Sequence, residues 1–303
     1  MWVPHPIPYQ GSKRWIAKAL LDCFPEQVGT LYEPFAGSAA VTLAAAYYGR
    51  ANRFCLSDIN GPLMDLWDAI INEPLRLSEQ YESLWEEQGG QECSFFNRVR
   101  ERFNREHRPA DFLYLLARCT KAAVRYNRFG RFNNSPDHRR RGTRPQTVRS
   151  HILSASSLLR GKTELGACDF RLALKQATPG DLVYMDPPYQ GVSLRRDQRY
   201  LKGLPFGDFV EALAVLNERR IPCIVSYDGR TGEKEHGRAL PQSLHLTHLE
   251  VVAGRSTTET LLGRSGITVE SVYLSKALMR QIGSVPRSML PRRAKPTLFE
   301  VPG

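Results

Sequence analysis

The apolar positions fall into short runs that switch between a strand period and a helix period. TLYEPFAG (30–37) is a brief apolar run cut by proline and glycine, and the alanine-rich stretch 39–48 follows it, which predicts a strand and then a helix. RFCLSD (53–58) reads as a second strand ending in an acid. Asn60-Gly61-Pro62 then opens a helix through LMDLWDAII, with Asn60 as its cap and Pro62 at an early helical position. Upstream, Gly11-Ser12 leads into the amphipathic stretch KRWIAKALLDCF. Strand, helix, strand, helix predicts parallel strands joined by crossovers.

From residue 73 to 161 the helical period dominates, in LRLSEQYESLWEEQ, CSFFNRVRERFNREH and DFLYLLARCTKAA, and RYNRFGRFNN is a candidate hairpin. Alternation resumes with residues 169–175, DLVYMD, FGDFVEALAVLNERR and IPCIVSYDG. LHLTHLEVVA and TVESVYLS are late strands. The expected organisation is an α/β core of residues 1–72 and 162–276, a mainly helical insert of residues 73–161, and an extended basic, proline-rich tail of residues 277–303. No internal repeat is visible.

Composition sharpens this picture in two places. With 303 residues, 42% of them hydrophobic, the chain can bury a large core, and no apolar run approaches the roughly 20 residues that span a bilayer. The first residues, MWVPHPIPYQGSKR, lack the basic and then apolar order of a secretory signal. The net charge of +11 points to a polyanionic partner, and the arginine-rich segment 125–149, whose single acid is Asp137, concentrates it. Tyr126, Phe129, Phe132, Asn127, Asn133 and Asn134 are interleaved there, so charge for phosphates stands beside rings and amides for bases. The cysteines are scattered without C-x-x-C spacing and the histidines form no ligand pair, so neither a disulfide framework nor a metal is expected.

Acids stand where strands should end: Glu33 in EPFAG, Asp58, and Asp186 in VYMDPPYQG. Ligands of open α/β sheets bind at those ends. Gly37 lets a ligand approach the backbone, and an acid closing the second strand can accept from ribose hydroxyls. The glycine spacing fits neither a dinucleotide fold nor a P-loop. At 186–189, the Asp186 carboxylate and the Pro187 carbonyl form a rigid acceptor pair, stiffened by Pro188, and Tyr189 offers a stacking face. That set suits an exocyclic amine of a base taken out of its duplex.

The ordered motifs P-x-x-Y-x-G-S-K, EPFAG, SDIN, RYNRFGRFN and DPPY resemble the DNA adenine methylase (Dam-type, D12 class, α-group) family of N6-adenine methyltransferases, over about Pro6 to Ala277. The resemblance implies a Rossmann-like, S-adenosylmethionine-dependent methyltransferase sheet with an antiparallel final hairpin and an inserted target-recognition domain. It implies cofactor contacts at Tyr9, Lys13, Glu33, Pro34, Phe35, Gly37, Asp58, Ile59, Asp169, Phe170 and Asp186, and a catalytic motif at Asp186, Pro187, Pro188 and Tyr189. Contacts to double-stranded DNA follow for Arg125, Tyr126, Asn127 and Asn133, and the basic segment adds Arg128, Arg131, Arg139, Arg140 and Arg141. No metal is implied. The chain departs from the family pattern in GRFNNSPDHRR, where Arg131 replaces an acid and the final glycine is missing, so a GATC target does not follow.

The alternatives are N4-cytosine methylation, which uses the same acceptor geometry, and an inactive DNA-binding regulator on this scaffold. The expected setting is the cytoplasm of a bacterium, on DNA, with the gene bacterial or phage-borne and a restriction endonuclease as a candidate companion. KPTLFE in the tail resembles a sliding-clamp-binding peptide without its usual glutamine.

Overall fold

The computed structural model describes residues 2–90, 92–188, 204–231, 234–236, 238–255 and 267–289. The strands are β1 (Thr30–Glu33), β2 (Arg53–Asp58), β3 (Thr163–Ala167), β4 (Leu182–Met185), β5 (Cys223–Thr231), β6 (Lys234–His236), β7 (Thr247–Arg255) and β8 (Ile267–Leu274). They form one sheet in the order β3-β2-β1-β4-β5-β8-β7, with β6 paired to β5. β1 to β5 pair in parallel along this path, whereas β8 runs antiparallel to both β5 and β7.

Every residue of β4 is buried, as expected for a parallel strand covered on both faces. Leu182 and Tyr184 enter the core on one side of the sheet, and Val183 and Met185 the core on the other. The first side holds α1 (Ala17–Leu21), α2 (Ala40–Tyr47), α3 (Gly61–Asn72), α4 (Pro74–Glu87), α5 (Glu92–Glu106), α6 (Pro109–Arg118), α7 (Pro145–Leu159) and α10 (Lys276–Ile282). The second holds α8 (Phe170–Gln176) and α9 (Phe206–Glu218), packed through Phe170, Leu174, Phe209 and Leu213. This three-layer, mixed α/β architecture is the expected Rossmann-like sheet with an antiparallel end.

Among the described residues, the helical stretch after α3 shares its core with the sheet. Tyr81, Phe96, Phe112 and Ile152 join the same apolar cluster as Leu31, Leu56 and Trp67. The helix expected to run through DFLYLLARCTKAA stops at Arg118, because Cys119 is extended (ψ 161°), and Lys121 and Ala122 then take positive φ (61° and 51°). Asn134 holds that turn by donating from Nδ2 to the carbonyls of Thr120 and Ala123. The tail also starts later than its composition implies. Ser275 Oγ accepts from Leu278 N and caps α10, and Leu278 is buried, so extended structure at 277–282 is corrected to helix. KPTLFE lies outside the described residues.

Candidate active site

Strand order reverses between β1 and β4, where one half of the sheet runs outward through β2 and β3 and the other through β5. Such a reversal opens a crevice at the carboxyl ends of the strands. Glu33 ends β1, Asp58 ends β2, and Asp186 directly follows β4, so the topology brings all three acids to one edge.

At the β1 and β2 ends, backbone amides fix the acids. Asp58 accepts from Gly37 N at 3.2 Å through Oδ2 and from Asn60 N at 3.0 Å through Oδ1. Burial raises the Asp58 carboxyl above its usual range, and these backbone N–H groups oppose the rise. Glu33 accepts from Thr42 N at 2.9 Å, and burial pushes its carboxyl up to about 8. Gly37 has φ +47°, a conformation that side chains rarely adopt, and a Cβ there would lie 3.2 Å from the ring of Tyr9. Its carbonyl accepts from Trp67 Nε1 at 3.0 Å. Ser38 Oγ donates to Ser12 Oγ at 2.8 Å, which ties the N-terminal Tyr9–Lys13 segment to the turn after β1. Pro34 is buried, Phe35 stacks on Phe170 with centroids 5.1 Å apart, and Ile59 stands 46% exposed beside Asp58. Asp169 has another occupation: it caps α8 through Arg171 N and pairs with the Arg171 guanidinium.

The β4 end carries an ionic cluster. Lys13 is buried, and its Nζ lies 3.1 Å from Asp186 Oδ1 and 3.4 Å from Glu270 Oε2 on β8. Burial raises the Asp186 carboxyl to about 6; Lys13 opposes that rise and Glu270 adds to it. Pro187 is buried and Pro188 partly so, giving the acid a stiff neighbour; Tyr189 lies outside the described residues. Sequence reasoning missed Glu270. The available signal was an acid inside the β-branched run ITVESV, a position that needs a cationic partner once the strand is central.

The structure distributes the predicted DNA-contact residues among different roles. Tyr126 and Phe132 form an antiparallel bridge, and Asn127 N donates to Arg131 O, so RYNRFGRFNN is a short hairpin. Asn127 Oδ1 accepts from Phe129 N and Arg131 N and braces the tip, where Arg128 lies over the exposed ring of Phe129. Tyr126 itself is buried, and its hydroxyl donates to Asn60 Oδ1 at 3.1 Å. In this arrangement Tyr126 pins the hairpin to the β2–α3 turn. The same bond explains why the Asn60 side chain does not cap α3. Arg125 is half-buried, and Asn133 is exposed. Arg131 pairs with Glu101 on α5. Asp137 accepts from Arg139 N and Arg140 Nε, and Arg141 lies 4.2 Å over the Trp85 ring.

A family profile described as D12 class N6 adenine-specific DNA methyltransferase matches residues 9–257. A DNA N-6-adenine-methyltransferase of Escherichia phage P1 is 28% identical over 60% of this chain and 23% of its own length. Modification methylase StsI of Streptococcus sanguinis is 21% identical over 82% of this chain and 40% of its own length. The chain therefore spans less than half the length of these two relatives. A DNA adenine methylase of Serratia marcescens is 26% identical over 78% of this chain and 86% of its own length. The profile match includes the turn after β1, the end of β2 and the acid after β4, and the chain belongs to the D12 class N6 adenine-specific DNA methyltransferase family.

Proposed function

We propose that this protein transfers a methyl group from S-adenosylmethionine to the N6 amino group of an adenine taken out of double-stranded DNA. One observation carries this reading: a rigidly followed acid, Asp186, stands at the strand-order switch beside a second pair of acids suited to a nucleoside-bearing cofactor. The residues at the β1 and β2 ends fit that cofactor. Gly37 leaves room that a Cβ would fill against Tyr9, and Ile59 offers exposed apolar surface for a base. Asp58 is oriented by two backbone amides, and a carboxylate has further lone pairs for ribose hydroxyls. Glu33 and the Gly37 turn would hold the methionine end. When bound, the cofactor supplies an electrophilic methyl group and leaves as its thioether.

Asp186 accepts a hydrogen from the adenine amine, which directs the nitrogen lone pair and opposes the positive charge that develops on N6. The Pro187 carbonyl is the second acceptor. After transfer the cationic nitrogen loses a proton to Asp186 or to water, so a strong base is unnecessary. The partner is double-stranded DNA, with the hairpin tip and Arg139–Arg141 as its basic contacts.

The test is methylation of DNA with tritiated cofactor, followed by mass spectrometry of the nucleosides. N6-methyladenine is expected, and Asp186→Ala should lower the rate by about 10²–10⁴-fold while DNA binding survives. N4-methylcytosine as the product would assign the reaction to cytosine instead, and full activity in the variant would remove Asp186 from the chemistry.

A further inference from the structure

Lys13 is held by two carboxylates, and only Asp186 has a role in the chemistry so far. Resting on the reading of Asp186 as the acceptor for the base's amino group, we propose that Glu270 is a positioning residue that shares the Lys13 ammonium with Asp186. The geometry is direct: Nζ is 3.1 Å from one carboxylate and 3.4 Å from the other, and the side chains of Lys13 and Glu270 are only 8% and 15% exposed.

In a site shielded from water, an ammonium with a single carboxylate partner binds it strongly and competes with any weaker donor. An aromatic amine is such a weaker donor. Glu270 draws Lys13 toward β8 and so keeps Asp186 open to the substrate. Two carboxylates and one ammonium also leave the cluster with a net charge of −1, which favours the positive charge arriving on N6. The methyl–nitrogen bond forms as the methyl–sulfur bond breaks, so the charge leaves sulfur and appears on nitrogen. The nitrogen then sheds one proton, and Glu270 touches none of the reacting atoms.

Among the described residues, the charged and titratable groups around Asp186 are Lys13 from the N-terminal turn, Glu33 from β1, Tyr184 from β4 and Glu270 from β8. Tyr184 is bound to Ser226 Oγ at 3.1 Å, and burial keeps its phenol protonated, so it adds no charge at neutral pH. Glu270 thus supports a higher midpoint for Asp186, and its neutralisation should lower that midpoint.

The experiment compares wild type with Glu270→Gln and Glu270→Asp. Carbon-13 NMR titration of Asp186 in cofactor-free protein should show a lower midpoint in Glu270→Gln. Its kcat should fall about 10–100-fold, with the acid limb of the pH profile displaced to lower pH and the KM for cofactor within about threefold of wild type. Glu270→Asp should recover part of both. A merely structural role would lower thermal stability and leave the Asp186 midpoint and the acid limb in place. That result, or a kcat within about twofold of wild type, would overturn the proposal. The NMR arm needs no turnover, so a wild-type protein that makes no N6-methyladenine would defeat the functional reading while the shared ion pair is still tested.

Discussion

Glu33 is the residue whose environment makes the clearest demand on pH. Burial pushes its carboxyl from about 4.5 to about 8, so between those values the folded chain holds a proton that the unfolded chain has released. Stability therefore falls as pH rises through this window. Glu33→Gln keeps an acceptor for Thr42 N but cannot ionise. Its melting temperature minus that of wild type should grow from pH 5 to pH 8 in cofactor-free protein and level off above. Calorimetry across that range checks it, and a difference that stays flat would mean Glu33 does not titrate there. Glu33, Asp58 and Asp186 were legible in the sequence because each terminates an apolar run. Glu270 was not, since its value depends on a lysine 257 residues away in the sequence. Asn60 misled for a related reason: it has cap chemistry, but a tyrosine 66 residues away claims its side chain.

At the scale of elements, β2 was legible to the residue, because RFCLSD alternates and ends in an acid. β3 was not. TELGA is an edge strand whose residues are half-buried or exposed, and pairing with β2 alone leaves no apolar pattern to read. The N-terminal segment is another element that only the structure explains. His5 N donates to His151 Nδ1 of α7 at 2.7 Å, and Trp2 packs edge-on against the same imidazole, 4.1 Å away. An accepting ring nitrogen must be unprotonated, and burial lowers His151 from 6.5 to about 4. The unfolded chain takes up the proton first on acidification, so this docking contributes fully above about pH 6.5 and is lost toward pH 4. Acidification from pH 7 to 4.5 should change the fluorescence of Trp2, and the change should be missing in Trp2→Phe. An identical response in both proteins would show that the segment does not leave α7.

Across the whole molecule, the net charge of +11 sets a general attraction for polyanions, but part of the arginine run is engaged within the protein. Asp137 offsets charge at Arg139 and Arg140, and the Arg141 guanidinium lies on Trp85. Three free phosphate contacts would contribute a salt slope of about 2.7 in log K against log[salt]. Replacing Arg139, Arg140 and Arg141 with serine should lower the slope by only about 1–2, equally on unrelated sequences. Fluorescence anisotropy at several salt concentrations measures this, and a loss confined to one sequence would make these arginines base readers. The Lys13 cluster also joins residues made far apart in time. Lys13 is made before Glu270, which leaves the ribosome 257 residues later. At about 5–20 residues per second, that is a delay of roughly 13–50 s. Every nascent chain passes through this interval with Lys13 waiting for a strand not yet translated, and a ribosome that stalls before β8 releases a product in which the waiting never ends.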